Sequence, residues 1–402
     1  TLYPAATERD EARYVVEKVK SMVRDGAAYR DFVVLYRTNA QSRVFEEALL
    51  AEGIPYRVVG GVGFYARTEI KDIIAYLRYI VNSSDALAFK RIVNVPRRGI
   101  GQQTLAALVQ AANQSRVSVG EAVFDTEILR TAVPKKLKEL ERFAELIADL
   151  RKGTEGGVAD LLVAVMERSG YVRELQAEDT HDARARLENL SELVGVAREY
   201  EAGDDEPSLA GFLANVALVS DLDSLADDAS YVTLMTLHSA KGLEFPSVFL
   251  TGLEEGVFPH SRTLTEPDEL EEERRLAYVG ITRAIDRLFL THAARRALFG
   301  NTYAYPKSRF LEEIPGLEVL ESDSVPLPRP AGGRWREVAI HESAGAGVHL
   351  GLKGGDRVRH PKWGEGRIES IVGAGGDGLV TIDFPNVGQK MLMLKYAPLE
   401  KI

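Results

Sequence analysis

Strand-like sequence occurs in two separate parts of this chain, and a long helical stretch lies between them. The apolar runs are FVVLYR (32–37), PYRVVGG (55–61), VTLMTL (232–237), SVFLTGL (247–253) and RLFLTHA (287–293). Such runs are typical of strands buried in a parallel sheet. From about residue 100 to 228 the apolar residues recur at helical spacing only. The pattern predicts one α/β domain with a parallel sheet, interrupted by an all-helical insertion.

The C-terminal sequence changes character twice. Residues 326–351 are rich in Pro, Gly and Ala and lack periodicity, as linkers do. Beyond them, Val380, Ile382 and Phe384 follow the period of two among Gly-rich turns, which indicates a small β-barrel. The expected organisation is a sheet domain in two parts (1–60 and 229–325), a helical insertion (61–228), a linker (326–351) and a barrel module (352–402).

Composition limits the possible classes of function. A chain of 402 residues exceeds what one core normally supports, so several domains are expected. The net charge of −10 excludes a protein that simply coats a polyanion, so a nucleic-acid contact would be a local basic track. The absence of Cys excludes disulfides and thiolate metal sites, and no apolar run approaches the roughly 20 residues of a membrane span. Since no signal-peptide pattern is present, we expect a cytoplasmic protein without a membrane partner.

A polar loop, HSAKGLEF (238–245), follows the predicted strand VTLMTL. Ligands of open α/β sheets bind beyond the carboxyl ends of the strands, so we expect the loop at that edge. There, Gly242 would let the backbone approach a ligand closely, and Glu244 would accept hydrogen bonds from ribose hydroxyls. The alternative is a solvated loop whose charges bind nothing.

A predicted helix, EEERRLAYVGITRA (271–284), ends near Arg283. Leu276 and Val279 lie three residues apart on one face, and Arg283 follows four residues later. An arginine at a helix end on a sheet domain suits an anionic partner, and an arginine finger for phosphoryl transfer has this form. The alternative is a surface arginine that pairs with Glu or Asp.

Together, TLHSAKGLEF (236–245) and EEERRLAYVGITRA resemble motifs V and VI of superfamily 1 DNA helicases. The similarity extends through VLYRTNAQSRVFEEAL, YRVVGGVGFYARTEIKD, NVPRRGIG, EEGVFPH and SRFLEE, and it includes the terminal barrel. The chain is therefore similar to the C-terminal half of UvrD/PcrA-type helicases. The resemblance implies a second RecA-like sheet domain, a helical insertion and a Tudor-like (SH3-like) β-barrel.

In such helicases two RecA-like domains bind ATP and Mg²⁺ between them, and single-stranded DNA crosses both domains. The resemblance assigns Glu244 to the ribose and Arg283, as the catalytic residue, to the γ-phosphate, with Gly242 in the same nucleotide-binding loop. It assigns the single-strand track to Arg37, Asn39, Thr236, His238 and His260. The alternatives are that Thr236 only packs in its strand and that the two histidines only cap loops.

The stretch NVPRRGIGQQTL (94–105) predicts a phosphate-binding turn. Gly99, Ile100 and Gly101 precede a predicted helix, so backbone N–H groups would lie beside the positive end of the helix dipole. Arg97 and Arg98 add positive charge. The turn is similar to the helix–hairpin–helix element with which this family holds duplex DNA, so Arg98 and the turn are expected to bind DNA. An ordinary Pro/Gly turn between helices is the alternative.

No phosphate loop of the G-x-x-x-x-G-K-[ST] type and no paired-acid strand end occurs in the sequence. The resemblance assigns these groups, with the Mg²⁺ ligands, to an N-terminal helicase half, and we expect this chain to be a fragment or a processed piece. It also implies a protein partner for the barrel, RNA polymerase being the best candidate, through Lys362, Trp363 and Lys395. Trp363 would equally serve as an anchor of the barrel core.

The predicted function is that of the C-terminal half of an ATP-dependent 3′–5′ DNA helicase or translocase in DNA repair. Its expected nucleic-acid partners are single-stranded DNA and the junction with duplex DNA. The direction of movement comes from the resemblance alone. Two other classes stay open: a non-enzymatic module that binds DNA and tethers RNA polymerase, and a helicase–nuclease subunit, which would need a nuclease domain in place of the barrel.

Overall fold

The computed structural model describes residues 1–222, 230–298, 301–320, 352–360, 364–372, 379–385, 388–393 and 399–402. The chain separates into two units, Thr1–Val325 and Pro326–Ile402. In the described part of the chain, no helix combines the length and the apolar composition that a membrane span requires.

The larger unit contains a seven-stranded sheet within these described residues. Its strands are β1 (Leu2–Thr7), β2 (Phe32–Tyr36), β3 (Tyr56–Val59), β4 (Val232–Thr236), β5 (Phe245–Leu250), β6 (Ala284–Leu298) and β7 (Asn301–Ala304). The order is β1-β6-β5-β2-β4-β3 with all of these pairings parallel, and β7 pairs antiparallel with β6. The predicted parallel sheet is confirmed, and β3 and β4, which flank the helical stretch, are neighbours.

Helices occupy most of the remaining described residues of this unit. They are α1 (Glu8–Arg24), α2 (Ser42–Ala51), α3 (Thr68–Val81), α4 (Ala86–Ile92), α5 (Gln102–Ser115), α6 (Val119–Ala122), α7 (Thr126–Ala132), α8 (Leu137–Lys152), α9 (Val158–Arg168), α10 (Tyr171–Glu178), α11 (His181–Gly203), α12 (Leu209–Leu222) and α13 (Pro267–Ile281). The ten helices from α3 to α12 form the predicted all-helical part.

The sheet is covered on both faces, which explains why its strands are almost entirely apolar. Val19 of α1 and Phe45 of α2 belong to one buried cluster with Phe249 of β5. Ala277 of α13 belongs to a second cluster with Leu250 of β5. The helices that connect the strands are therefore packed against the sheet from both sides.

The helical part has its own core, to which α3 contributes a stripe of buried side chains. Ile73 and Leu77 lie four residues apart on α3 and are fully buried with Leu162 of α9 and Leu193 of α11. Polar contacts join this part to the sheet part, because Glu192 of α11 accepts a hydrogen bond from Nε of Arg43 on α2 over 2.7 Å. α11 thus contributes both to the helical core and to a polar contact with the sheet part.

The smaller unit is a five-stranded antiparallel sheet within its described residues. Its strands are β8 (Arg357–His360), β9 (Gly364–Val372), β10 (Leu379–Phe384), β11 (Gly388–Met393) and β12 (Glu400–Lys401), in the order β11-β10-β9-β8-β12. The alternating residues Val380, Ile382 and Phe384 are fully buried, as predicted. A Cβ at Gly366 would lie 2.6 Å from the side chains of Ile382 and Phe384, so only glycine fits there. Lys362, Trp363 and Lys395 lie outside the described residues.

Candidate functional site

The loop between β4 and β5 crosses the sheet from one edge to the other. Thr236, the last residue of β4, pairs with Tyr36 at the end of β2, whereas Phe32 at the start of β2 pairs with Ser247 of β5. Since all three strands are parallel, the chain must return from the carboxyl edge to the amino edge, roughly 15–20 Å away. The expectation that the whole loop lies at the carboxyl edge is therefore wrong for its second half. A short 3₁₀ turn with buried Leu237 lays the loop across the face of the sheet.

At the amino edge, this loop meets the end of α13. The backbone N–H of Phe245 donates to the carbonyl of Arg283 over 2.9 Å. The Arg283 guanidinium donates to the carbonyl oxygens of Leu243, through Nη1, and Val279, through Nε, both over 2.9 Å. The arginine is half-buried, and the hydrogen bond to Leu243 holds its guanidinium against the loop.

Glu244 and Gly242 lie in the loop beside this arginine. Both residues are exposed, and Glu244 directly precedes the residue that bonds to the Arg283 backbone. Gly242 has a φ of +85° and nothing within 4 Å of where a Cβ would be, so its conformation needs glycine and its surroundings are open. The structure thus brings together the three residues that the sequence assigns to nucleotide. The carboxylate of Glu244 and the guanidinium of Arg283, at the same edge of the sheet, suit a ligand with both hydroxyl and phosphate groups.

The carboxyl edge holds Arg37, which follows β2, in a buried ion pair. Its Nη2 and Nε donate to Oε1 of Glu273 on α13 over 2.7 and 2.9 Å, and the two side chains are only 14% and 5% exposed. The backbone N–H of His260 donates to Oε2 of the same carboxylate over 3.0 Å. Nothing in the sequence distinguishes Glu273 from its exposed neighbours Glu271 and Glu272, so the sequence does not predict this contact.

The other residues predicted for the single-strand track lie near this pair. Thr236 and His260 each cap a short 3₁₀ turn with the side chain. The capping alternative thus describes the local structure of His260, whereas Thr236 caps a turn that the sequence did not predict for it. The carbonyl of Asn39 accepts a hydrogen bond from Arg67 over 3.1 Å. Part of His238 is open to solvent, yet loss of water around the ring lowers its pKa, and the charge of Arg37 lowers it further. His238 is therefore a neutral hydrogen-bonding group at pH 7.

The turn before α5 divides the predicted DNA-contacting residues into two groups. The guanidinium of Arg98 points inward and donates to backbone carbonyls and to the hydroxyl of Tyr76, 2.7 Å from Nη2. Ile100 is 4% exposed and its N–H donates to Asn94. These two residues stabilise the turn instead of presenting side chains to a ligand.

The glycines of the same turn are accessible. Gly101 has nothing within 4 Å of a hypothetical Cβ, and Gly99, with a φ of +71°, has only Lys136, whose Nζ would lie 3.2 Å away. α5 begins without a side-chain cap on its first N–H groups. Arg97 is exposed beside them. What this turn offers an anion is therefore the uncapped start of α5, the exposed Arg97, and Lys136, which pairs with Glu139 over 2.9 Å.

Comparison with known proteins adds an independent line of evidence. The family described as UvrD-like helicase C-terminal domain matches residues 1–295, and the PcrA/UvrD tudor domain matches residues 355–401. The chain is similar to ATP-dependent DNA helicase UvrD1 of Mycobacterium tuberculosis (strain ATCC 25618 / H37Rv), with 43% identity over 428 residues, covering 100% of this chain and 55% of that protein. It is also similar to ATP-dependent DNA helicase PcrA of Staphylococcus aureus (strain NCTC 8325 / PS 47), with 40% identity over 411 residues, covering 99% of this chain and 56% of that protein.

The chain spans about half the length of these curated relatives. The matched family covers the helical part and the parallel strands of the sheet up to residue 295 in β6, and the matched tudor domain covers the described strands of the smaller unit. The chain belongs to the UvrD-like helicase family.

Proposed function

We propose that this chain is the C-terminal motor half of an ATP-dependent 3′–5′ DNA helicase or translocase that acts in DNA repair. The relatives that it matches are named ATP-dependent DNA helicases, and the chain corresponds to about half of their length. The observation that carries the proposal is the contact between the Arg283 guanidinium and the loop that bears Glu244. The direction of movement and the repair role rest on the family resemblance.

In this proposal the amino edge of the sheet binds one side of a nucleotide. Arg283 stabilises the charge that develops on the transferred phosphoryl group, and Glu244 accepts hydrogen bonds from the ribose. Gly242 allows close approach of the loop. ATP is held mainly by a phosphate loop that this sequence does not contain. Arg283 is therefore the one catalytic residue that we assign to this chain.

Magnesium is expected to accompany ATP, and its fit to this chain is poor. The described residues include no group of three or more His, Asp or Glu side chains that could hold a metal ion. We therefore derive no step through a metal from these residues. In the proposal its ligands belong to the segment that carries the phosphate loop, here called the N-terminal half.

The carboxyl edge and the helical part are proposed to bind DNA. Arg37, Asn39, Thr236, His238 and His260 lie along the edge where a single strand would pass, near the start of α11. The turn at Gly99 and Gly101, with Arg97 and Lys136, would hold a duplex phosphate through N–H groups and charge. Arg98 and Ile100 would contribute by stabilising that turn.

The remaining parts of the proposal concern organisation and partners. We assign 1–60 and 229–325 to the second RecA-like domain, 61–228 to the helical insertion, 326–351 to a linker and 352–402 to the partner-binding module. The tudor match supports a protein-interaction role for this module, and RNA polymerase is the proposed partner. Its proposed location is the cytoplasm, where its DNA substrate lies.

The test is DNA-stimulated ATP hydrolysis by this chain supplied with an N-terminal half. Arg283→Ala is expected to lower the rate by about a thousandfold, as loss of an arginine finger does. Arg287→Ala, which removes an exposed arginine near the same edge, is the matched control and is expected to keep the rate. If the chain is only a DNA-binding and polymerase-tethering module, hydrolysis is absent or the two variants are equally active.

A further inference from the structure

A single carboxylate joins three segments at the carboxyl edge of the sheet. Glu273 of α13 is 4% exposed, accepts from Nε and Nη2 of Arg37, and accepts from the backbone N–H of His260. Arg37 follows β2 and His260 follows β5, so one acidic side chain on α13 holds the segments that follow two strands. Such a buried, multiply bonded carboxylate is costly to place unless its partners are well aligned.

We propose that Glu273 is a positioning residue for single-stranded DNA. It holds the Arg37 guanidinium so that the N–H donors not bonded to the carboxylate meet a phosphate, and it holds the His260 backbone beside them. This inference rests on the proposed function, since it takes the carboxyl edge to be the DNA track. It concerns a residue that does not itself touch DNA.

The geometry of the guanidinium supports this role. Glu273 engages only the Nε and Nη2 positions of Arg37, and the structure gives Nη1 no protein acceptor among the described residues. The Arg37 side chain is 14% exposed, so part of it reaches solvent. An arginine whose fork is already fixed loses less conformational freedom when it binds a phosphate than a free arginine does.

Electrostatic repulsion alone and positioning of Arg37 predict opposite effects on DNA binding when Glu273 is neutralised. A carboxylate near a phosphate track repels DNA, so neutralising it without any positioning effect would strengthen binding. Positioning predicts that the same neutralisation weakens binding. Glu272 provides the matched comparison, because it is the next residue of α13, its side chain is 72% exposed, and it pairs only with Arg275 among the described residues.

Arg283 follows the C-terminal end of the same helix. α13 ends at Ile281, eight positions after Glu273, which is about 12 Å along an α-helix. A DNA strand bound at Arg37 and a nucleotide bound at Arg283 would therefore both be positioned by α13. Glu273 is the residue through which α13 positions the DNA-binding Arg37.

The experiment measures binding of a fluorescent single-stranded oligo(dT) to this chain by anisotropy over a range of NaCl concentrations. Glu273→Gln and Arg37→Gln are each expected to weaken binding by about tenfold. Each is also expected to reduce the salt slope by about 0.7, the value of one single-strand phosphate contact. The double variant is expected to bind like Arg37→Gln alone, because Glu273 acts through Arg37. Glu272→Gln is expected to bind like the unchanged chain.

Several outcomes would overturn the inference. Binding by Glu273→Gln that equals or exceeds that of Glu272→Gln would show that Glu273 contributes charge only, and additive losses in the double variant would show that it does not act through Arg37. If Glu273→Gln does not fold, Arg37→Lys carries the test, because lysine keeps the charge without the fork; unchanged binding overturns the proposal. A wild-type chain that does not bind the oligonucleotide instead overturns the proposed DNA track itself.

Discussion

Arg43 of α2 and Glu192 of α11 form an ion pair across the contact between the sheet and the helical part. The distance from Nε to Oε1 is 2.7 Å, and the two side chains are 2% and 10% exposed. Arg43 also reaches Glu47, at 2.9 Å, and Glu199, at 3.3 Å. A fully buried guanidinium surrounded by three carboxylates commits the two parts to one another, because separating them would expose or orphan the charges.

The first prediction follows from this pair. Glu192→Ala is expected to lower the free energy of unfolding by about 3 kcal/mol, the lower end of the range for breaking a buried pair, because Glu47 and Glu199 remain. Urea unfolding of the chain measures the change. The control is Glu127→Ala, in the exposed pair with Arg130, where side chains are 81% and 59% exposed and the expected change is below about 0.5 kcal/mol. Equal effects of the two substitutions would contradict the prediction.

The second prediction concerns the pH dependence of His238. Its pKa in the folded chain lies below the ordinary value of 6.5, so the folded state binds fewer protons at this site than the unfolded state does. The contribution of His238 to stability is therefore complete above about pH 6.5 and is lost as the pH falls through the folded-state pKa. Histidine side-chain NMR, with His238→Gln for assignment, measures the titration. A midpoint at or above 6.5 would show that the ring is charged more readily than the structure implies.

The third prediction separates two neighbouring arginines in the turn before α5. Arg98→Ala is expected to cost about 3 kcal/mol of stability, because its inward guanidinium donates to several partly buried backbone carbonyls and to the hydroxyl of Tyr76. Arg97→Ala is expected to leave stability within about 0.5 kcal/mol and to reduce the salt slope for duplex binding by about 0.9. Thermal unfolding and anisotropy with a tailed duplex measure both. If Arg98→Ala keeps its stability but loses duplex binding, Arg98 binds DNA directly, as its sequence motif predicts, and the prediction fails.

The fourth prediction concerns the packing of α13 on the crossing loop. A Cβ at Gly280 would lie 2.4 Å from Cδ2 of Leu237, so Gly280→Ala must displace the buried Leu237 side chain, the helix or the loop. Overpacking costs about 1–3 kcal/mol, which exceeds the gain of up to about 1 kcal/mol from better helix propensity. Gly203→Ala, at a helical glycine with nothing within 4 Å of the new Cβ, is the control and is expected to be neutral or stabilising. Urea unfolding compares them; a stabilising Gly280→Ala would mean that α13 sits less tightly than described.

Much of the fold was predictable because period and flanking residues determine it locally. The apolar runs form strands where their sequence predicts them, and the interruption of the sheet follows from where strand-like sequence stops and resumes. The course of the 237–244 loop was not predictable, because it depends on β2 lying between β4 and β5. Strand order is a long-range property that no local pattern contains.

The candidate site was predictable in residue type more than in side-chain direction. Glu244 and Arg283 are adjacent as their motifs suggested, although at the opposite edge of the sheet from the one expected. A motif shows that an arginine is present; it does not show whether the guanidinium turns outward, as open surface would allow, or inward, as for Arg98. Glu273 illustrates the same limit, since burial depends on which face of α13 meets the sheet.

The adjacency of β3 and β4 has a consequence for how such a chain can diversify. Tyr56 pairs with Val232 and Val59 with Met235, so the ladder of backbone hydrogen bonds is continuous across the place where the helical part leaves and re-enters the sheet. Topologically, everything between these two strands is one crossover between neighbouring parallel strands. Sequence can be gained, lost or rebuilt inside that crossover without altering any strand register, so the sheet and the helical part can change separately except where buried contacts such as Arg43–Glu192 join them.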